Sequence, residues 1–238
     1  MKYYTDTMTA VYLGCVLLFA CVFSIAVEGQ GNVTYPPKPG EPIKGVGISG
    51  VAPTYFVLVK VESGHYTDMG SGSFISEDEI LTCAHNVRDY HVGGKGKLSV
   101  QSFDGTVYRD VSVQRYNGDV DLSVLKINDY KGNGVHTTLS ISDSLSQGSP
   151  VTSVGWVPRE SLVQLYKGVT TTKSSNGIGK SCRSGDWIIH TAKVVQGMSG
   201  GPLLNDQGDI VGVNIFTDMK SGESGSVSVE RIMELLLE

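Results

Sequence analysis

The segment at residues 197–202, GMSGGP, constrains the fold more than any other part of the chain. Its glycines supply backbone conformations that other residues rarely adopt, so the chain can turn sharply and let another backbone approach closely. Leu203 and Leu204 follow directly, and residues 210–214 form a second apolar run. The pattern predicts a tight turn, next to a pair of strands, that presents the hydroxyl of Ser199 beside backbone N–H groups.

A serine in such a turn is a candidate nucleophile. Its hydroxyl reacts readily only when a neighbouring base takes its proton, and that base is often a histidine oriented by a carboxylate. His85 lies at the exit of an apolar run that begins as a strand, and Asp121 precedes an alternating segment with the period of a half-buried strand. Asp119 competes with Asp121 for the role of the acid, and the strand directly after Asp121 favours the latter.

Four segments occur in an informative order: GSGSFI at 70–75, TCAH at 82–85, the aspartate with its alternating strand, and GMSGGP at 197–202. In this order they resemble the chymotrypsin-fold serine peptidases, from about Tyr55 onward. The resemblance implies hydrolysis of peptide bonds through an acyl-enzyme by a triad of His85, Asp121 and Ser199. It also implies an oxyanion hole built from the backbone N–H groups of Gly197 and Ser199.

The same resemblance implies an all-β fold of two six-stranded antiparallel barrels, with the active site in the cleft between them. A chain of 238 residues is long enough for one sizeable domain of this kind. We place the first barrel at about 51–130 and the second at about 140–227. Ser228 is a plausible N-cap for a short C-terminal helix over 228–238.

Met198 indicates the branch of the family. In the digestive and clotting branch this position is an aspartate, which pairs with the new N-terminal amine after the zymogen is cut. Methionine cannot form that ion pair, so we expect no activation of that type. The chain is more similar to the Htr-type, glutamyl-endopeptidase and viral branches.

Substrate specificity is predicted only from position relative to Ser199. The expected pocket residues are Lys193, Gln196, Gly212, Val213 and Asn214. None of them is an acid that would select arginine or lysine, so we expect a small or medium uncharged residue before the scissile bond. Glutamate stays open through Lys193 or His190.

The N-terminal part of the chain is a separate piece. Residues 9–27 carry no charge, and they form either a signal peptide or a membrane anchor within segment 1–27. Lipidation at Cys21 is a third reading. Residues 28–50 form a Gly/Pro-rich linker before the peptidase domain at 51–238. Each reading places the catalytic domain outside the cytoplasm, either secreted or attached to the membrane.

Composition and cysteine spacing limit the other partners. The net charge of -5, with scattered basic residues, gives no electrostatic footprint for nucleic acid. No His and Cys cluster has ligand spacing, so we expect no metal and no cofactor. Cys83 is expected to be a small buried hydrophobe, and its pairing with Cys182 stays open, as does the oligomeric state. The expected partner is a protein or peptide substrate. A catalytically silent member of the same fold, used for binding, is the alternative.

Overall fold

The computed structural model describes residues 37–45, 54–64, 66–131, 141, 145–174, 187–218 and 220–238, and the side chains of 172–174 are left out. The predicted N-terminal segment, most of the linker and Cys182 lie outside these residues. None of the helices in the described ranges is long and apolar enough to cross a membrane. The predicted domain boundaries therefore stay predictions.

The first sheet contains seven antiparallel strands in the spatial order β5-β4-β1-β2-β3-β7-β6. They are β1 (Phe56–Ser63), β2 (Tyr66–Phe74), β3 (Glu79–Thr82), β4 (Lys97–Ser102), β5 (Val107–Tyr108), β6 (Val111–Asn117) and β7 (Leu122–Ile127). A 3-10 turn (Ala84–Val87) and helix α1 (Arg88–His91) follow β3. The sheet curls into a half-barrel. Strand β5, at one edge of the sheet, has only two residues.

The second sheet is a closed barrel of six strands in the order β10-β13-β12-β11-β8-β9. The strands are β8 (Pro150–Val157), β9 (Leu162–Ser174), β10 (Trp187–His190), β11 (Pro202–Leu204), β12 (Ile210–Thr217) and β13 (Ser224–Ser228). Helix α2 (Val229–Leu237) follows at once and buries Ile232 and Leu235. The predicted two-barrel, all-β architecture with a short C-terminal helix is confirmed.

Strand β1 shows how the sequence builds two cores from one strand. Successive side chains of a strand point to opposite faces. Val57, Val59 and Val61 therefore pack into the interior of the first sheet, whereas Phe56 and Leu58 pack into a second core. That second core also contains side chains of the closed barrel and of α2, including Val154, Trp156, Val213 and Ile232. The two sheets are thus joined by one continuous apolar core.

A polar chain runs through the closed barrel. His190 is fully buried, and its Nε2 lies 2.9 Å from the hydroxyl of Ser226. The Ser226 hydroxyl donates its single proton to Asn214 Oδ1, 3.1 Å away, so its oxygen accepts from His190 Nε2–H. Nε2 of His190 therefore carries a proton. Burial lowers the pKa of His190 to about 4.

This buried histidine predicts a loss of stability in acid. The unfolded chain binds a proton at the ordinary histidine pKa, whereas the folded chain resists it until about pH 4. The free energy of unfolding should therefore fall as pH drops from about 6.5 to 4, by about 3 kcal/mol from this group. Urea unfolding at pH 7 and pH 4 measures the fall. His190→Gln, which keeps a donor for Ser226, should show a smaller fall. An equal fall in both proteins would contradict the assignment.

Candidate active site

His85 and Asp121 are brought together by the pairing of two strands. Strand β3 pairs with β7 in the register Thr82↔Ser123, so the end of β3 lies beside the start of β7. His85 lies in the 3-10 turn just after β3, and Asp121 lies just before β7. The backbone N–H of Ala84 donates to the carbonyl of Asp121 at 3.1 Å, which extends the contact past the ends of both strands.

The carboxylate of Asp121 holds His85 at two points. Its Oδ2 lies 2.7 Å from the imidazole Nδ1, and its Oδ1 accepts the backbone N–H of His85 at 2.8 Å. Asp121 has a φ of 59°, a left-handed conformation that costs energy in a residue other than glycine. The contacts to His85 and Ala84 hold it there. Asp119, the competing acid, is exposed in the preceding turn, where its N–H donates to Asn117 Oδ1.

Cys83 lies on the other side of the imidazole. It is fully buried, as its apolar surroundings predict, and its Sγ lies 3.6 Å from His85 Nε2. Burial raises the pKa of the Cys83 thiol. For His85, burial acts to lower the pKa, whereas the hydrogen-bonded carboxylate of Asp121 stabilises the charged imidazole and acts to raise it; the buried Cys83 thiol is neutral and adds no charge to this balance. The sequence did not predict this contact. One residue separates Cys83 from His85, and that spacing does not determine how the two side chains are rotated.

The turn at 197–202 is sharp and can be built only with glycine. Gly197 and Gly200 have φ values of +91° and +87°. A Cβ on Gly200 would lie 2.2 Å from the Ser71 carbonyl oxygen. The turn is fastened to β12 by two backbone hydrogen bonds, from Gly200 N–H to Asn214 and from Asn214 N–H to Gly201. The chain therefore presents Ser199 in one fixed backbone arrangement.

Ser199 is half-buried and Gly197 is buried, and both carry groups that the sequence pattern indicates. The Ser199 hydroxyl donates to the carbonyl of Ile215 at 3.0 Å, so its proton goes to β12 rather than to His85. The backbone N–H groups of Gly197 and Ser199 donate to no acceptor in the described part of the chain. Backbone N–H groups without a protein acceptor in a turn are the kind of donor that binds anionic oxygens.

Met198 attaches the turn to the closed barrel by apolar packing. Its side chain is fully buried and packs with Val157 and Val194. A Cβ on Gly155 of β8 would lie 2.5 Å from the Cα of Met198, so the two backbones are in close contact. The position of the turn is thus set by the core of the closed barrel.

Ser71 of β2 is a site residue that the sequence analysis missed. Its hydroxyl donates to the carbonyl of Gly197 at 2.7 Å and accepts the N–H of Trp156 at 2.9 Å. Its backbone N–H donates to the carbonyl of Ser199 at 2.8 Å. Asn86 donates to the same Ser199 carbonyl at 2.9 Å. Buried hydroxyl groups are usually hydrogen-bonded, but the GSGSFI segment does not itself show that Ser71 is buried.

Loss of the Ser71 hydroxyl should destabilise the protein markedly. Ser71→Ala leaves the carbonyl of Gly197 and the N–H of Trp156 buried without a partner, at about 1–3 kcal/mol for each group. We expect urea unfolding to show a loss of about 2–6 kcal/mol. Ser73→Ala is the matched control, because Ser73 is equally buried on the same strand but its side chain makes no hydrogen bond to another described residue. Equal losses in the two variants would count against this role of Ser71.

The predicted pocket residues lie in two different environments. Lys193 and Gln196 are exposed. The Nζ of Lys193 lies 5.6 Å from the centroid of the Tyr166 ring, within cation–π range. The carbonyl of Lys193 accepts the hydroxyl of Ser153 at 2.6 Å, which fixes the backbone where this loop leaves the barrel.

The other three pocket candidates are buried in β12. Val213 packs into the core shared by the two sheets. Gly212 is closely covered, since a Cβ there would lie 2.8 Å from the Val227 carbonyl. The Asn214 amide donates to the carbonyls of Val154 and Pro202 at 3.1 and 3.0 Å. The Val213 and Asn214 side chains and the Gly212 backbone therefore lie in the interior of the barrel in this structure.

Comparison with known proteins identifies the family. The model of the trypsin-like peptidase domain matches residues 70–213, which is more than half of the chain, and the chain belongs to this family. Its similar relatives are of the Htr type, so it lies in the Htr-type branch of the chymotrypsin-fold serine peptidases.

Three relatives illustrate the likeness. Serine protease HTRA1 of Xenopus tropicalis is 31% identical over 172 residues, which cover 71% of this chain and 35% of that protein. Putative protease Do-like 14 of Arabidopsis thaliana is 29% identical, over 71% of this chain and 40% of that protein. A probable periplasmic serine endoprotease, DegP-like, of Chlamydia trachomatis is 31% identical, over 67% and 30%. The chain thus spans only a third or so of the length of these relatives.

Proposed function

We propose that the protein is a serine endopeptidase in which His85, Asp121 and Ser199 form the catalytic triad. The observation that carries the proposal is the pair of contacts from Asp121 to His85, at 2.7 and 2.8 Å, beside a glycine turn with two free N–H donors. Membership of the trypsin-like family and the names of the Htr-type relatives support it.

The first half of the proposed reaction follows from the tautomer of His85. Asp121 accepts a hydrogen bond from Nδ1–H, so the lone pair of His85 is on Nε2, which acts as the base once it leaves its contact with the Cys83 thiol. Ser199 must first exchange its hydrogen bond to Ile215 for one to this nitrogen. The oxygen then attacks the substrate carbonyl while Nε2 takes the proton, and the imidazolium passes that proton to the leaving amine.

The proposed oxyanion hole uses the free N–H groups of Gly197 and Ser199. Negative charge develops on the carbonyl oxygen as Ser199 attacks, and these donors are already oriented by the turn. In the second half of the reaction, a water activated by His85 hydrolyses the acyl-enzyme. The site therefore needs no cofactor for either step.

The substrate and location are proposed from less direct observations. We infer protein or peptide substrates, and an extracytoplasmic domain, from the family, the periplasmic relative and the uncharged N-terminal segment. The preference for an uncharged residue, or for glutamate through Lys193 or His190, stays a prediction. In this structure Lys193 is exposed and His190 is fully buried, so Lys193 is the group that a substrate reaches first.

Covalent labelling tests the nucleophile. A fluorophosphonate probe should label the full-length wild-type chain, because His85 and the free N–H groups activate Ser199 toward phosphorus as they do toward a carbonyl. Ser199→Ala should abolish the label, whereas Ser112→Ala, a serine remote in sequence on β6, should keep it. Mass spectrometry reads the site of modification. A folded wild-type protein that takes no label would favour the silent, binding member of the fold.

The two aspartates make a matched pair of variants. Asp121→Asn keeps the shape of the side chain but offers His85 an amide, which favours the wrong tautomer; in well-studied triads this lowers kcat by about 10⁴-fold. Asp119→Asn removes an exposed charge and should leave kcat within about twofold. Steady-state hydrolysis of a casein or peptide substrate measures both. Similar losses in the two variants would remove Asp121 from the triad.

A further inference from the structure

We propose that Cys83 and His85 form an inhibitory binding site for zinc-class divalent cations. Asp121 does not bind the ion in this proposal but accepts a hydrogen bond from the imidazole that does. The binding part of this inference rests on geometry alone, and its inhibitory consequence rests on the proposed peptidase function. Among the described residues, these three are the group whose ligand atoms all lie within 4.8 Å of one another.

The distance between Cys83 Sγ and His85 Nε2 fits a shared metal ion. Zinc binds nitrogen at about 2.0–2.1 Å and sulfur at about 2.3 Å, usually with tetrahedral angles. Those bond lengths place the two ligand atoms about 3.5–3.6 Å apart along one edge of the tetrahedron. The observed separation is 3.6 Å. The pair can therefore bind an ion without a large movement of either side chain.

Asp121 contacts the ring nitrogen of His85 that does not bind the ion. Histidines that bind metal usually donate the other ring N–H to a carboxylate, which fixes the tautomer and makes the ligand nitrogen more basic. The contact of 2.7 Å between His85 Nδ1 and Asp121 Oδ2 has this form. The same hydrogen bond that prepares Nε2 to act as a base also prepares it to bind a metal.

The ligand types select the class of ion. Thiolate and imidazole suit zinc, cobalt and copper, whereas magnesium and calcium prefer oxygen ligands. Cys83 is fully buried, but about a quarter of the His85 side chain is exposed, 27%, so the ion reaches the pair from the imidazole side. The thiol releases its proton to solvent as the sulfur binds, and water fills the remaining positions.

The consequence for catalysis is direct competition. The bound cation occupies the Nε2 lone pair that must take the Ser199 proton, so the nucleophile is not activated. The site is thus a reversible block placed on the proposed catalytic base, and it depends on a cysteine two residues before that base.

Cobalt spectroscopy tests binding without any need for activity. The full chain carrying Ser199→Ala, with Cys15, Cys21 and Cys182 changed to serine, keeps Cys83 as its one thiol and cannot digest itself. Added Co²⁺ should produce a thiolate-to-cobalt charge-transfer band in the near ultraviolet and one bound ion per chain. Cys83→Ser in the same background should lose the band, and Asp121→Asn should weaken binding about 10–100-fold.

Each result decides the proposal. A band that survives Cys83→Ser, or no band with a chain whose circular dichroism shows it folded, overturns it and leaves only a thiol–imidazole hydrogen bond. Cys83→Ala gives a second test if Cys83→Ser fails to fold. Because Ser199 is absent here, failure of the peptidase proposal does not affect the outcome.

Inhibition is measured separately in the active protein. Zn²⁺ should slow hydrolysis or probe labelling of the wild type, and Mg²⁺ at the same concentration should not. In Cys83→Ala, with each rate normalised to the rate without metal, the half-inhibitory Zn²⁺ concentration should rise at least about tenfold, because one ligand is lost. Cys182→Ala is the matched cysteine control and should respond as the wild type does. Equal zinc sensitivity in Cys83→Ala overturns the inhibitory role.

Discussion

The apolar core shared by the two sheets is the constraint on which the candidate site depends. Its members come from both sides, with Phe56, Leu81 and Leu122 from the curled sheet and Val154 and Trp156 from the closed barrel. His85 and Asp121 belong to the first side, and Ser199 belongs to the second. Burial of this core supplies a non-directional free energy that holds the two sides together. The directional contacts of Ser71 then set the distance between them.

The sequence predicted what depends on local pattern. The alternation after Asp121, the apolar run before His85 and the glycines of the turn each indicate an element within a few residues. The order of these elements supports the family resemblance that implied the fold class, and the N-cap candidate Ser228 predicted the C-terminal helix. The sequence did not predict that β5 is a strand separate from β6, because a two-residue strand has no period to detect.

Contacts between distant elements escaped prediction for a physical reason. Ser71 contacts Gly197, 126 residues away, through one hydrogen bond, and nothing in the composition around either residue records that contact. The positive φ of Asp121 likewise arises from three hydrogen bonds with the 3-10 turn, not from the preference of aspartate. The contact between Cys83 and His85 depends on the rotation of both side chains, which residue spacing does not fix.

The packing of Met198 has a consequence for timing. An ion pair with a newly cut N-terminus can form only after a second event, whereas an apolar side chain takes its place when its core closes. Met198 is fully buried beside Val157 and Val194, so the turn that carries Ser199 is shaped in the same step that folds the barrel. A turn built in this way does not need a newly cut N-terminus to take its shape.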